Sequence, residues 1–193
     1  AASDVYKRQG YVHISSMDDP SFRSVYADIL GKYNDREGIV IDTRFNGGGR
    51  LHEDIEILFS GKKYFTQVVR GREACDMPSR RWNKPSIMVT CEANYSNAHG
   101  TPWVYQHQGI GKVVGMPVPG TMTSVSWETL QDPTLYFGIP IVGYRLPDGS
   151  YLENKQLEPD VKIANSPEKI IKGEDEQLET AVKELLKEID SKK

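Results

Sequence analysis

"EGIVIDTRFNGGGR", residues 37–50, decides the fold. The apolar run Ile39–Ile41 reads as a buried strand ending at Asp42. Gly47, Gly48 and Gly49 follow. Then "HEDIEILFSG" (52–61) sets Ile55, Leu58 and Phe59 on one helical face before Gly61 stops it. Upstream, "YVHI" (11–14) is a short β run. In "DDPSFRSVYADILGKYND" (18–35), Asp18 or Asp19 caps a helix, Pro20 fits its first position, and Phe22, Tyr26, Ile29 and Leu30 share a face. Strand, helix, strand, glycine turn and helix make the alternation of an α/β domain with parallel pairing.

The remainder continues that pattern. Residues 62–84 are basic and irregular, with "YFTQVV" (64–69) a strand and the rest a loop. "SIMVTCE" (86–92) is the next buried strand. "SNAHGTPWVYQHQG" (96–109) reads as a helix broken or started by Gly100 and Pro102. "KVVG" (112–115) is a short strand before a Pro/Gly turn and a Thr/Ser-rich segment. "LYFGIPIVGYRLPDGSYLEN" (135–154) predicts a β-hairpin turned at Pro147, Asp148 and Gly149. "EPDVKI" (158–163) is extended. "EDEQLETAVKELLKEID" (174–190) closes the chain with Leu178, Ala181, Val182, Leu185 and Leu186 on one stripe.

At 193 residues the chain is long enough for one domain with a real core. A formal net charge of −3 argues against nucleic acid or an anionic membrane surface as a bulk partner. No apolar run approaches the roughly 18 residues of a membrane span. Two cysteines, Cys75 and Cys91, make neither a disulfide framework nor a zinc site. "AASDVYKRQ" (1–9) has no apolar core of a signal peptide, and no capping or strand signal. It reads as a cloning or assembly scar ahead of one domain over 10–190, itself a piece of a larger multidomain protein.

Chemistry has few places to sit. Glycines between strand and helix permit φ > 0 and close approach to the backbone. The helix beyond offers free N–H groups and a positive dipole end. That suits a phosphate or a developing oxyanion, although the pattern is neither GxGxxG nor a P-loop. A tight turn without a ligand explains the same residues. Ser96 lies past the carboxyl end of a strand and before a helix, where parallel sheets place their sites at switch points. It is either a helix N-cap or a nucleophile, whose oxyanion the N–H groups of Gly49 and Asn97 would stabilise.

A serine nucleophile needs a base. His13 sits in a strand, His99 lies three residues past Ser96, His52 lies beyond the glycines, and His107 is a surface residue at a helix end. None is compelling. Glu153 is either a surface turn acid or a carboxylate that orients a base. Arg70, Arg72, Arg80 and Arg81 are forked donors suited to a substrate carboxylate, or they belong to a solvated loop.

In order, "GYVHISSMDDPSFRSVYADIL" (10–30), "GIVIDTRFNGGG" (38–49), a strand followed by Glu92 and Ser96, "GIGKVVGMPVPGTMTS" (109–124) and "YLENKQLEPDVKI" (151–163) resemble the core domain of the tricorn proteases and their relatives, the tail-specific (C-terminal processing) serine peptidases. The resemblance covers residues 10–189. "VIDTRFNGGG" and "LENKQLEPD" are its most specific pieces. The serine segment departs from it, with Ser96-Asn97-Ala98 where tricorn-type chains carry Ser-Asp-Gly.

The resemblance implies a ClpP/crotonase-like α/β fold: a mostly parallel sheet flanked by helices, with a β-hairpin near the C-terminus. It implies Ser96 as nucleophile, Gly49 and Asn97 as oxyanion donors, and Glu153 as the carboxylate that orients a catalytic histidine. In tricorn-type enzymes that histidine comes from far upstream, before a PDZ domain, and none of the four here matches it. The tail-specific branch uses a Ser–Lys dyad. Thr121 stands where that lysine would be, and Lys112 lies on the preceding strand.

The reading is therefore a serine endopeptidase core acting through an acyl-enzyme at Ser96, with its base outside this chain and the isolated chain inactive or nearly so. It calls for no metal or cofactor. Its substrate is a peptide or unfolded protein, and the full-length protein is expected to form a homo-oligomer. The tricorn resemblance implies a cytoplasmic site, and the tail-specific one a periplasmic site. The alternative is a non-catalytic peptide-binding or assembly module that kept the fold. Acyl-CoA chemistry on the same fold is disfavoured, because nothing resembles a nucleotide site.

Overall fold

A computed structural model describes residues 8–192. Five strands, β1 (Gln9–His13), β2 (Gly38–Asp42), β5 (Ser86–Thr90), β6 (Lys112–Gly115) and β9 (Val161–Lys162), form one sheet in the order β1-β2-β5-β6-β9. All pairs are parallel. The sheet is wound in one direction, so the carboxyl ends of β1, β2, β5 and β6 share one edge without a reversal of strand order. The expected switch point is absent from this sheet, and the site forms along a plain edge.

The central strands β2 and β5 are buried on both faces, and the sheet's side chains alternate between two cores. Ile39, Ile41, Met88 and Val113 face α1 (Asp19–Ala27), α2 (His52–Phe59) and α3 (Asn97–His107). Val40, Ile87, Val89 and Val114 face α5 (Glu176–Ser191), with Ala181, Val182, Leu185 and Ile189 inward and Leu178 and Leu186 at the edge. The short α4 (Pro167–Ile170) precedes α5. Asp18 caps α1 by accepting from Ser21 N at 2.9 Å, and Pro20 sits in its first turn.

Several local expectations change. Gln9 already belongs to β1, and Arg8 pairs with Glu37 at 2.9 Å and Asp190 at 2.8 Å, while residues 1–7 of the expected scar lie outside the described residues. The expected loop after "YFTQVV" is instead an antiparallel hairpin of β3 (Phe65–Val69) and β4 (Arg72–Met77), turned at Arg70 and Gly71, both at φ > 0. The C-terminal hairpin is present but lies earlier than expected: β7 (Ser124–Thr129) pairs with β8 (Tyr136–Val142). The Pro147-Asp148-Gly149 turn closes only a single bridge, Arg145 to Tyr151.

Helix α3 runs unbroken through Gly100 and Pro102. Pro102 has no N–H to give the Ala98 carbonyl four residues earlier. The buried Asn94 side chain supplies a donor there at 3.3 Å. Cys75 and Cys91 are both free. Among the described residues, no helix is long and apolar enough to cross a membrane.

The α5 seam carries a testable load. Leu185 is fully buried against the sheet. Leu185→Ala should lower the unfolding free energy by roughly 2–5 kcal/mol in urea titrations. Exposed Lys183→Ala should stay within about 0.5 kcal/mol of wild type.

Candidate active site

The site is assembled from the loops leaving β1, β2, β5 and β6, which bond to one another in series. Met17 N donates to Gly48 O at 3.0 Å, and Arg50 N to Met17 O at 2.7 Å. Tyr95 N donates to Asn46 O at 3.0 Å. Ser96 N donates to Thr121 Oγ1 at 3.2 Å, and Thr123 N to Glu153 Oε2 at 2.7 Å. Asn46 is fully buried and anchors the chain of contacts. Its Nδ2 donates to Ile14 O, and its Oδ1 accepts from Gly48 N, both at 2.8 Å. That second contact is an Asx turn, which "FNGGG" signals locally and the sequence reading above passed over.

Two glycines are required here. Gly48 has φ +99, and a Cβ on it would lie 2.6 Å from Ser96 Cβ and 3.1 Å from Asn97 N. Gly49 has φ +134, and a Cβ there would collide with the Met17 carbonyl. The glycine turn is therefore pressed directly against the Ser96–Asn97 peptide. Neither Gly49 N nor Asn97 N donates a hydrogen bond among the described residues.

Ser96 occupies the N-cap position of α3 without capping it: its side chain makes no cap bond. Its backbone is at φ 53, ψ −122, a region that costs a non-glycine residue about 1–3 kcal/mol. Half-buried and strained, its Oγ has no hydrogen bond among the described residues. Ser96 and Glu153 flank one segment, residues 121–123, without touching each other. Glu153 keeps Oε1 free of hydrogen bonds among the described residues.

Among the described residues, no histidine or lysine bonds the Ser96 hydroxyl. His52 Nδ1 is 2.8 Å from Asn97 Nδ2. His13 is exposed, its ring 3.5 Å from Arg44 O. His107 is exposed and stacks on Trp103 with centroids 4.4 Å apart. Lys112 pairs with Glu184 at the opposite end of β6. Thr121 lies against the Ser96 backbone, accepting from its N–H. His99 is fully buried below the Glu153–Lys155 turn, and neither ring nitrogen attains hydrogen-bond geometry with it.

Arg70, Arg72, Arg80 and Arg81 are all exposed and bond to no residue of the cleft. Arg81 donates instead to Ile57 O. A cavity of about 290 Å³ does adjoin the cleft, lined by His52, Gly100, Trp103, Met122, Tyr144 and Leu152 among others. Each wall touches the site: His52 bonds Asn97, Met122 lies between Thr121 and Thr123, and Leu152 precedes Glu153. The lining contains no carboxylate.

Two outcomes follow for stability. Asn46→Ala leaves the buried Ile14 O and Gly48 N without partners, so urea unfolding should show a loss of roughly 1–3 kcal/mol for each group. Burial, the leading cause, holds both His52 and His99 below the ordinary imidazole range. The unfolded chain then binds protons more readily than the native state just below pH 6.5. Stability should be full above that pH and fall as pH drops through it. Equal urea midpoints at about pH 7.5 and about pH 5.5 would contradict this.

Comparison with known proteins agrees with the architecture. The tricorn protease of Thermoplasma acidophilum is 24% identical over 181 residues, 93% of this chain and 17% of its own length. Tricorn protease homolog 1 of Streptomyces coelicolor is 27% identical over 180 residues, 91% of this chain and 16% of its own length. The crystal structure of the tricorn protease matches 97% of this chain and 18% of that chain, with TM-score 0.84 at 22% identity. The photosystem II D1 C-terminal processing protease matches 91% of this chain and 46% of that chain, with TM-score 0.60 at 18% identity. These structural likenesses show the fold. The chain spans 21%, 16% and 17% of the length of the first three curated relatives. Residues 8–163 match the model of peptidase family S41, and the chain belongs to that family.

Proposed function

We propose that this chain is the nucleophile-bearing core of a serine endopeptidase. The observation that carries the reading is the state of Ser96: a strained residue packed against Gly48, its hydroxyl unbonded among the described residues, followed in the chain by Asn97, whose N–H is likewise undonated, as is that of Gly49 next to Gly48. Ser96 Oγ attacks a peptide carbonyl, and the oxygen that becomes negative takes hydrogen bonds from those two groups. The leaving amine departs with the proton taken from Ser96, water then gives a proton to the same base as it hydrolyses the acyl-enzyme, and that proton returns to Ser96 Oγ. The base that takes the Ser96 proton is an imidazole from polypeptide outside these 193 residues. Glu153 Oε1, which takes no hydrogen bond among the described residues, is available to orient it.

The match to tricorn proteases supports a peptide or unfolded protein as substrate. The cavity beside the site has apolar and aromatic walls, with Arg145 also in its lining and no carboxylate, so it suits an apolar, aromatic or acidic substrate side chain rather than a lysine or arginine. The exposed arginines of residues 70–81 have no bonded link to the cleft and receive no role in this chemistry.

A fluorophosphonate probe tests the reading. Labelling should occur in the complete polypeptide that includes this chain, vanish in Ser96→Ala, and be absent or nearly so in the isolated chain. Labelling of the isolated chain would place a base within it. No labelling of either folded form would sink the enzyme reading and favour a binding or assembly module, the reading that the absence of a bonded base in the described residues also suits.

A further inference from the structure

The first turn of α2 has no cap of its own: Leu51, at the N-cap position, has no side-chain acceptor. The cap comes from the start of α3. Asn97 Oδ1 accepts from Leu51 N at 2.8 Å and from His52 N at 3.0 Å. Asn97 is buried, so these contacts fix which end of its amide is oxygen. Nδ2 must then face His52 Nδ1, at 2.8 Å. An amide NH₂ only donates, so His52 Nδ1 is an acceptor without a proton, and the neutral ring carries its proton on Nε2. The ring packs edge-on to Tyr144 with centroids 6.0 Å apart.

This arrangement joins the two N–H groups assigned to the oxyanion. Asn97 bears one of them. Its side chain grips residues 51 and 52, directly after the turn that bears Gly49. We infer that His52 is a positioning residue: by accepting from Asn97 Nδ2 it locks the side chain that holds the Gly49 and Asn97 backbone N–H groups in register with Ser96. The catalytic part of this inference rests on the peptidase reading, while the clamp itself rests on geometry alone.

The clamp works only with a neutral ring. A protonated His52 would present Nδ1–H to Asn97 Nδ2–H, donor against donor. The charged groups around it are Glu53 and Asp54 on its own helix and Arg50 just before it, with Arg145 and the titratable His107 across the shared cavity. No carboxylate faces the ring from that cavity.

Nitrogen-15 NMR of the 193-residue chain reads the clamp without any activity. The expected result is an Nε2–H tautomer for His52, with the Gly49 and Asn97 amide signals moving together with the His52 titration below about pH 6.5. In His52→Ala both amides should shift at every pH. In His52→Gln, whose side-chain oxygen can accept from Asn97 Nδ2, they should return towards wild type and lose that pH response.

In the complete polypeptide, the Ser96 labelling rate should fall about two- to tenfold in His52→Ala and recover in His52→Gln, the range expected for one lost hydrogen bond. An Nδ1–H tautomer, or Gly49 and Asn97 amides unmoved in His52→Ala, overturns the inference whatever the labelling shows. Absence of Ser96 labelling in the wild-type polypeptide overturns the peptidase reading instead, and with it the catalytic part of the inference.

Discussion

The loops at the carboxyl edge of a parallel sheet carry backbone groups that no further strand can satisfy, and here they satisfy one another. Asn46 is central to this. One buried side-chain amide holds the exit of β1 through Ile14 O and bends the glycine turn through Gly48 N, while the Asn46 backbone carbonyl accepts from Tyr95 N at the exit of β5. Buried polar groups are expensive to leave unpaired. The loops therefore hold one relative position, and Ser96 is carried to the place where the next contact, to Thr121, completes the row.

That rigidity gives a strained residue its support. The Ser96 carbonyl accepts from His99 N and Gly100 N, its own N–H is taken by Thr121, and Gly48 leaves room for its Cβ. A second tie secures the turn from the other side of the sheet. Arg44 bonds the buried Asp42 at 2.6 Å and reaches Asp175, the N-cap of α5, at 2.8 Å. Tyr11 donates to the same Asp42 carboxylate at 2.8 Å. The glycine turn is thus fixed by β1, by α3 and by the start of the helix on the far face.

The sheet and its helices were legible because their signals are periodic and local. Ile39 to Ile41 and "SIMVT" are continuous apolar runs, and the α5 stripe repeats at helical spacing. The hairpins were harder to read. β4, "REACDM", has no alternation, and its turn uses Arg70 in the position that asparagine usually marks. In β8, Pro140 argues against a strand but sits beside the register shift that tolerates it, so the stronger turn signal at residues 147–149 drew the hairpin too far along. Ser96, Gly49 and Asn97 were visible as a motif. The ties of Asn97 to Leu51 and His52 join residues 45 and 46 positions apart, which no local pattern reveals.

The most direct test of the central claim is a crystal structure of the complete polypeptide treated with a peptide aldehyde. The account requires Ser96 Oγ bonded to the former carbonyl carbon, the hemiacetal oxygen within hydrogen-bond distance of Gly49 N and Asn97 N, and an imidazole from outside this chain between Ser96 and Glu153. An unmodified Ser96 under a bound aldehyde, or an adduct whose oxygen faces away from both N–H groups, would contradict it.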